Sequence, residues 1–205
     1  MSTPMNARDD ILSRVRSALT GTDVSAVHVP RGYRSRPPRE GLVELFVERV
    51  EDYRATVTRC AAPDLAATVA AALPPGATVV LPEGLPFEVQ GTVDTGLTAT
   101  DLDGFDAVVT TATVGIAETG TIVLAHGPGE GRRALSLVPD LHICVVPAEL
   151  VCASVSEAFQ RVEPSVRRRR APLTLISGPS ATSDIELSRV EGVHGPRRLE
   201  IVIVT

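Results

Sequence analysis

One carboxylate stands among small and hydroxylated residues in the segment Gly115–Thr121, whose sequence is GIAETGT. Glycine lets a backbone approach a ligand closely. In this setting Glu118 is a candidate catalytic residue, as a general base or a nucleophile, or else a hydrogen-bond anchor. Thr119 and Thr121 are candidates for substrate binding. A structural alternative is that Gly120 makes a turn and Glu118 caps neighbouring amides.

A second segment of small residues, Ser177–Glu186, has the sequence SGPSATSDIE. A serine followed three residues later by a glutamate has capping-box spacing, which predicts a helix that begins at Asp184. The first amides of this helix and the hydroxyls of Ser180 and Thr182 form a candidate site for a carboxylate or a phosphate. Because Asp184 and Glu186 would repel an anion, the alternatives are a bound hydroxyl, cation or arginine, or a plain capped turn.

The third segment, Gly192–Arg198, carries His194 between glycines that leave it accessible. Imidazole titrates near neutral pH, so His194 is a candidate catalytic group for proton transfer, with a structural role in a turn as the alternative. We expect the three segments to converge on one pocket. The other histidines are scattered and form no metal-binding pair, so we expect no metal site.

A glycine-rich stretch at Gly127–Gly131 resembles a dinucleotide-binding loop only superficially. Its spacing is not GxGxxG, and Pro128 removes an amide that a phosphate cradle would use. We interpret it as a mobile loop. The arginines directly after it, Arg132 and Arg133, are candidates for anion contact, and we select Arg132 as a substrate-binding residue.

Composition limits the classes of partner. The net charge is −5, which gives no electrostatic reason to expect nucleic acid or an anionic membrane. Every basic residue is arginine, so lysine-based catalysis is excluded. The three cysteines are not in CxxC spacing, and we expect no bound cofactor. Residues 1–10 lack the apolar run of a signal peptide and no stretch is long enough for a membrane span, so we expect a cytoplasmic protein without membrane insertion.

Hydrophobic periodicity predicts an α/β domain. Short apolar runs alternate with helices, which favours a mostly parallel sheet with helices on both faces, and ligands in such folds bind beyond the carboxyl ends of the strands. We expect an N-terminal helix and irregular arm over residues 1–39 and the α/β domain over 40–205. The predicted strands cover 55–58, 77–81, 107–111, 121–125, 142–146, 173–176 and 199–204, and the predicted helices begin at Asn6, near Glu40 and at 63, 132 and 154.

Four motifs in order resemble the LUD domain of the bacterial LutC/YkgG lactate utilization family. They are GIAETGTIVL at 115–124, RRALSLVP at 132–139 with His142 and Ile143, SGPSATSDIE at 177–186 and GVHGP at 192–196. The resemblance covers most of the chain from the second helix to the end. It implies a Rossmann-like fold, similar to the ribose-phosphate isomerase, glucosamine-phosphate deaminase and CoA-transferase group.

The resemblance also implies a role in oxidising L-lactate to pyruvate together with iron-sulfur partner proteins. This chain lacks the cysteine region of the larger relatives of the LutB type, which points to the short LutC type and to an accessory or substrate-handling subunit. Glu118, Thr119, Thr121, Ser180, Thr182, Asp184 and His194 are carried over as motif positions only.

Two other classes of function stay open. One is a stand-alone isomerase- or transferase-like enzyme that acts on a sugar phosphate or a CoA ester with Glu118 as nucleophile or base, by analogy of fold alone. The other is a sensor that binds a small carboxylate.

Overall fold

The computed structural model describes residues 6–23, 30, 40–170, 172–182, 190–192 and 194–205. Residues 1–34 and 35–205 form two separate compact units. In the first unit, helix α1 (Ala7–Ala18) begins after Asn6, whose side chain accepts a hydrogen bond of 2.9 Å from the amide of Asp9. This bond satisfies one of the free amides of the first turn, so Asn6 caps the helix as predicted.

The second unit contains the remaining helices and strands. In chain order its described elements are α2 (Leu42–Asp52), β1 (Thr56–Cys60), α3 (Leu65–Ala72), β2 (Val79–Leu81), β3 (Thr92–Val93), α4 (Ala99–Asp103), β4 (Ala107–Thr111), β5 (Val114–Ile116), β6 (Thr121–Leu124), β7 (Leu141–Pro147), β8 (Val151–Cys152), α5 (Val155–Arg169), β9 (Thr174–Ile176), β10 (Ala181–Thr182), β11 (Val190–Glu191) and β12 (Arg198–Val204). Short 3-10 helices lie at Ala62–Asp64, Ala117–Thr119 and Ala148–Leu150.

Six strands form a parallel sheet in the order β1-β12-β7-β4-β2-β3. The central strands β4 and β7 are almost entirely buried runs of apolar residues, as expected for strands covered on both faces. Successive side chains of β4 alternate between the faces. Val109 packs in a cluster with Val69 of α3, whereas Val108 packs with Leu102 of α4. Helices therefore cover both faces, and the predicted fold class is confirmed.

A second sheet, in the order β8-β5-β6-β9, packs beside the parallel sheet and was not predicted. β6 runs antiparallel to both β5 and β9, so the placement of residues 121–125 and 173–176 in the parallel sheet is wrong. The error arose because strands of three or four residues carry too little periodicity to reveal their direction. The segment Gly115–Thr121 is the end of β5 and the turn that leads into β6.

The predicted helix at 132–138 is also wrong, since this stretch consists of turns. The amides of Leu135 and Leu137 bond to the carbonyls of Arg132 and Ala134, three residues back, and only one bond in this stretch reaches four residues back, from Val138 to Ala134. A glycine before the stretch and Pro139 after it leave too few residues for a stable helix.

Helix α2 packs against three glycines of the two small-residue segments. A Cβ atom at Gly115 would lie 3.3 Å from the ring of Phe46, one at Gly120 would lie 2.6 Å from the backbone of Arg49, and one at Gly178 would lie 2.7 Å from Tyr53. Phe46 and Arg49 share one face of the helix, and Tyr53 directly follows its last residue. The space in front of these glycines is therefore filled by α2 and not by a ligand.

Among the residues that the structure describes, no helix has the length and apolar character needed to cross a bilayer.

Candidate functional site

A cavity of about 300 Å³ lies between β9, the loop after β9 and the turn that precedes β12. We call it the His194 pocket. Its polar side chains are Arg133, Ser136, Thr174, Ser177, Ser180 and His194. No acidic side chain stands among the described residues that line it. The turn enters β12 at its amino end, so the pocket does not lie at the carboxyl edge of the parallel sheet, where we expected ligands.

Hydrogen bonds hold the loop after β9 against the turn before β12. The hydroxyl of Ser180 accepts a bond of 3.0 Å from the amide of His194, and the amide of Ser180 donates to the carbonyl of Pro196 at 2.8 Å. The amide of Gly192 donates to the carbonyl of Ser180 at 3.2 Å. The structure thus brings together Ser180 and His194, two of the residues that the sequence singled out.

A chain of hydroxyls connects the pocket to the first segment. The hydroxyl of Ser177, which lines the pocket, lies 2.7 Å from that of Thr121, and Thr121 lies 2.7 Å from the hydroxyl of Thr119. Thr121 is buried and does not line the pocket itself. Thr121 therefore positions the hydroxyl of Ser177 without lining the pocket itself.

Glu118 lies away from the pocket. Its side chain is exposed, and its amide donates to the carbonyl of Ala153 at 3.2 Å. Thr182 lies in β10, and Asp184 is outside the described residues. The second segment therefore contacts the first through Ser177 and Thr121, and the third through Ser180 and His194. Glu118 is not among the described residues that line the His194 pocket.

Arg133 supplies the positive charge of the pocket. Its side chain is exposed, and no salt bridge joins it to an acidic residue in the part of the chain that the structure describes. The carbonyl of Arg133 accepts a bond of 3.1 Å from the hydroxyl of Ser136, which is 3 % exposed and fixes the local turn. A guanidinium beside several hydroxyls, with no acidic side chain among the described residues that line the pocket, suits a small carboxylate or phosphate.

The preceding residue, Arg132, lines a different cavity of about 750 Å³ at the carboxyl ends of β2 and β3. Its guanidinium forms two hydrogen bonds to Asp94, of 2.6 and 3.0 Å, and another to the carbonyl of Leu97. These bonds from Arg132 are the main reason that the pKa of Asp94 is lowered. The charge of Arg132 is thus largely compensated within the protein.

The loop at 125–131 forms hydrogen bonds with the residues around it. The buried carboxylate of Glu130 accepts hydrogen bonds from the hydroxyl of Thr113 and from the amides of Ala125 and Gly127, the last two at 2.7 and 3.3 Å. These bonds place His126 in a left-handed conformation, with φ of 57°. Such a conformation is uncommon outside glycine and often marks a constrained site.

The imidazole of His126 lies between the two cavities. Its Nδ1 is 2.8 Å from the carbonyl oxygen of Gly131, and its Nε2 is 2.8 Å from the hydroxyl of Thr174. His126 lines the cavity at the carboxyl ends, whereas Thr174 lines the His194 pocket.

The thiols are poorly placed for catalysis. Burial raises the pKa of Cys144 to about 12 and also raises that of Cys152. Because the thiolate is the nucleophilic form, both side chains act as packed apolar groups. No group of three or more metal-ligating side chains is assembled within the described ranges.

Sequence reasoning missed Ser136 and Thr174 as pocket residues, and it offered Arg133 only as one of two neighbouring arginines for anion contact. Arg133 stands next to Arg132, and nothing in the sequence tells which of the two has an acidic partner. Thr174 lies in a short apolar strand that gives no sign of a binding role. Only the pairing of β9 with β6 and the position of the turn reveal that these side chains face one cavity.

Comparisons with known proteins agree with this architecture. Residues 95–204 match the profile of the LUD domain. The chain is 42 % identical over 204 residues to "Lactate utilization protein C" of Deinococcus radiodurans, covering 97 % of this chain and 95 % of that protein. A protein of the same name from Shouchella clausii is 35 % identical over 101 residues, which are 48 % of this chain and 44 % of that protein.

A solved structure is also similar. It is the crystal structure, at 1.70 Å resolution, of a protein described as a DUF162 family member from Deinococcus radiodurans. The two share 39 % sequence identity with a TM-score of 0.71, over 83 % of this chain and 100 % of the other.

Proposed function

The chain belongs to the LUD domain family, and from this premise we propose that it acts in lactate utilization, as a component of a multiprotein system that oxidises L-lactate to pyruvate. The observation that carries the proposal is the 42 % identity to a protein named "Lactate utilization protein C" along almost the whole length of both chains. In this proposal the two electrons removed from lactate pass to iron-sulfur partner proteins, and the present chain handles the substrate.

The His194 pocket supports a substrate-handling role. Arg133 and the hydroxyl of Ser180 are donors for the carboxylate of the ligand, and His194 is the group for proton transfer. Within this proposal Glu118 and Arg132 remain sequence-based candidates, for catalysis and for substrate contact.

Growth on lactate tests the role directly. A strain that lacks the gene should fail to grow with L-lactate as sole carbon source and should grow normally on pyruvate, because only the oxidation step is lost. The wild-type gene should restore growth, whereas Arg133→Gln should not, at an equal level of folded protein. Normal growth of the deletion strain on L-lactate would contradict the proposal.

The same strain separates the remaining candidates. Glu118→Gln and Arg132→Gln are introduced singly, and growth on L-lactate is measured beside the wild type. Loss of growth with an unchanged melting temperature supports the residue concerned, and normal growth removes it from the site. Turnover of a sugar phosphate or CoA ester by the purified chain, abolished in Glu118→Gln, would instead support the stand-alone enzyme.

Copurification tests the proposed partners. An affinity-tagged chain, isolated from cells grown on L-lactate, should bring down proteins with the absorbance of iron-sulfur clusters near 400 nm. Isolation of the tagged chain alone under these conditions would contradict the proposed assembly.

A further inference from the structure

The hydrogen-bond directions inside the His194 pocket carry information about its ligand. We propose that the pocket accepts a 2-hydroxy acid and disfavours the corresponding 2-oxo acid, with Thr174 as the specificity-determining residue and His126 as the residue that positions the Thr174 hydroxyl proton. This inference rests on the proposed function and deepens it, since it states which of the two acids of the reaction the chain holds.

The two ring nitrogens of the His126 imidazole have different hydrogen-bond partners. Its Nδ1 lies 2.8 Å from the carbonyl oxygen of Gly131, and a carbonyl can only accept. Nδ1 therefore carries a proton, and in this tautomer Nε2 has a lone pair. Because Nε2 lies 2.8 Å from the hydroxyl of Thr174, that hydroxyl must donate to the ring.

Thr174 is thereby fixed as an acceptor towards the pocket. A hydroxyl has one proton and two lone pairs, and the proton of Thr174 is used by His126. The hydroxyl of Ser136 is in the same state, since it donates to the carbonyl of Arg133. Both side chains line the pocket and are 7 % and 3 % exposed, so water competes little for them.

Donors come from other residues of the pocket. The hydroxyl of Ser180 accepts a bond from the amide of His194, so its own proton is available to a ligand. The guanidinium of Arg133 has only donors. The pocket thus offers donors from Arg133 and Ser180 and acceptors from Thr174 and Ser136.

This arrangement of hydrogen-bond donors and acceptors matches a 2-hydroxy acid. Its carboxylate accepts from Arg133 and Ser180, and its hydroxyl donates to Thr174. A 2-oxo acid has no hydroxyl proton to donate, so its carbonyl oxygen would face the lone pairs of Thr174. A site that leaves a polar group unpaired in this way discriminates strongly between analogues.

Titration calorimetry with L-lactate and pyruvate tests the inference. The wild type should bind L-lactate more tightly than pyruvate, by about tenfold or more. Thr174→Val removes the acceptor at nearly constant volume and should reduce the preference to about twofold or less, mainly by weakening lactate binding. Thr174→Ser keeps the hydroxyl and should keep the preference.

A second variant tests the positioning role of His126. Asparagine tolerates the left-handed backbone at this position but is too short to replace Nε2, so His126→Asn frees the proton of Thr174. Pyruvate should then bind more tightly than to the wild type. The readout is the ratio of the two affinities, which a general loss of stability does not alter.

The outcomes separate the inference from the proposed function. Equal affinity for both acids in the wild type, or an unchanged ratio in Thr174→Val, contradicts the inference alone. A wild-type chain that binds neither acid contradicts both the substrate-handling role and the inference.

Discussion

The buried imidazole of His142 lies between the two sheets, on β7. It is 1 % exposed, and its Nε2 is 2.8 Å from the hydroxyl of Thr110. Burial lowers the pKa of His142 to about 4, from an ordinary value of 6.5. The native protein therefore keeps this ring neutral over a pH range in which the unfolded chain would protonate it.

This shift predicts a loss of stability in mild acid. Above pH 6.5 both states are neutral at His142 and nothing is lost. As the pH falls from 6.5 towards 4, His142 takes up a proton in the unfolded chain but not in the native protein, so the free energy of unfolding falls. Below pH 4 both states are protonated at His142, and the loss levels off. Between pH 7 and 4.5 the contribution is about 2–3 kcal/mol.

Urea unfolding at pH 7 and pH 4.5 measures this loss of stability. His142→Gln is the matched control, because its side chain does not titrate. The wild type should lose more stability than the variant over this interval, by about the amount given above. An equal loss in both proteins would show that His142 is not the group responsible.

Neighbouring arginines show how much of a site is decided by side-chain surroundings. Arg132 is bound by Asp94 and lines one cavity, whereas Arg133 lines the other without an acidic partner among the described residues. The sequence identified this pair as a place for anion contact, and we selected Arg132. Spacing along the chain could not distinguish them, because the partner of Arg132 lies 38 residues earlier.

At the scale of elements, the docking of α2 explains the glycines of the small-residue segments. Gly120 has φ of 58°, and a Cβ there would meet the backbone of Arg49 at 2.6 Å. Backbone atoms cannot move aside without shifting the helix. We therefore expect Gly120 to be required for the contact between α2 and the second sheet.

Alanine substitution tests this with a control elsewhere in the chain. Gly76 also has a left-handed conformation, with φ of 78°, but nothing lies within 4 Å of its Cβ position. Gly76→Ala should cost about 1 kcal/mol from backbone strain alone, and Gly120→Ala about 3 kcal/mol or more because the clash is added. Thermal or urea unfolding measures both, and equal costs would contradict the proposed packing.

Helices and strands were predictable from the sequence where their apolar pattern extended over several residues. α1, α2 and the strands of the parallel sheet other than β3 were found from apolar spacing, because each presents a clear stripe or a continuous buried run. β5, β8 and β3 were missed, since two or three residues carry no pattern. The capping motif at Asp184 falls outside the described residues.

At the scale of the molecule, the sequence predicted the fold class better than the site. A parallel sheet follows from buried β-branched strands, and local composition is enough to infer it. A pocket depends on which loops meet. Ser180 and His194 meet across 14 residues of chain, whereas Glu118 is not among the described residues that line the pocket.

Binding of a small carboxylate in the His194 pocket depends on Arg133 in the proposed site. Isothermal titration of L-lactate into the wild type, Arg133→Gln and Arg132→Gln measures this dependence. We expect saturable binding at one site, weakened about tenfold or more in Arg133→Gln because a charge-assisted hydrogen bond is lost, and changed less than about threefold in Arg132→Gln. Undiminished binding by Arg133→Gln would contradict this dependence.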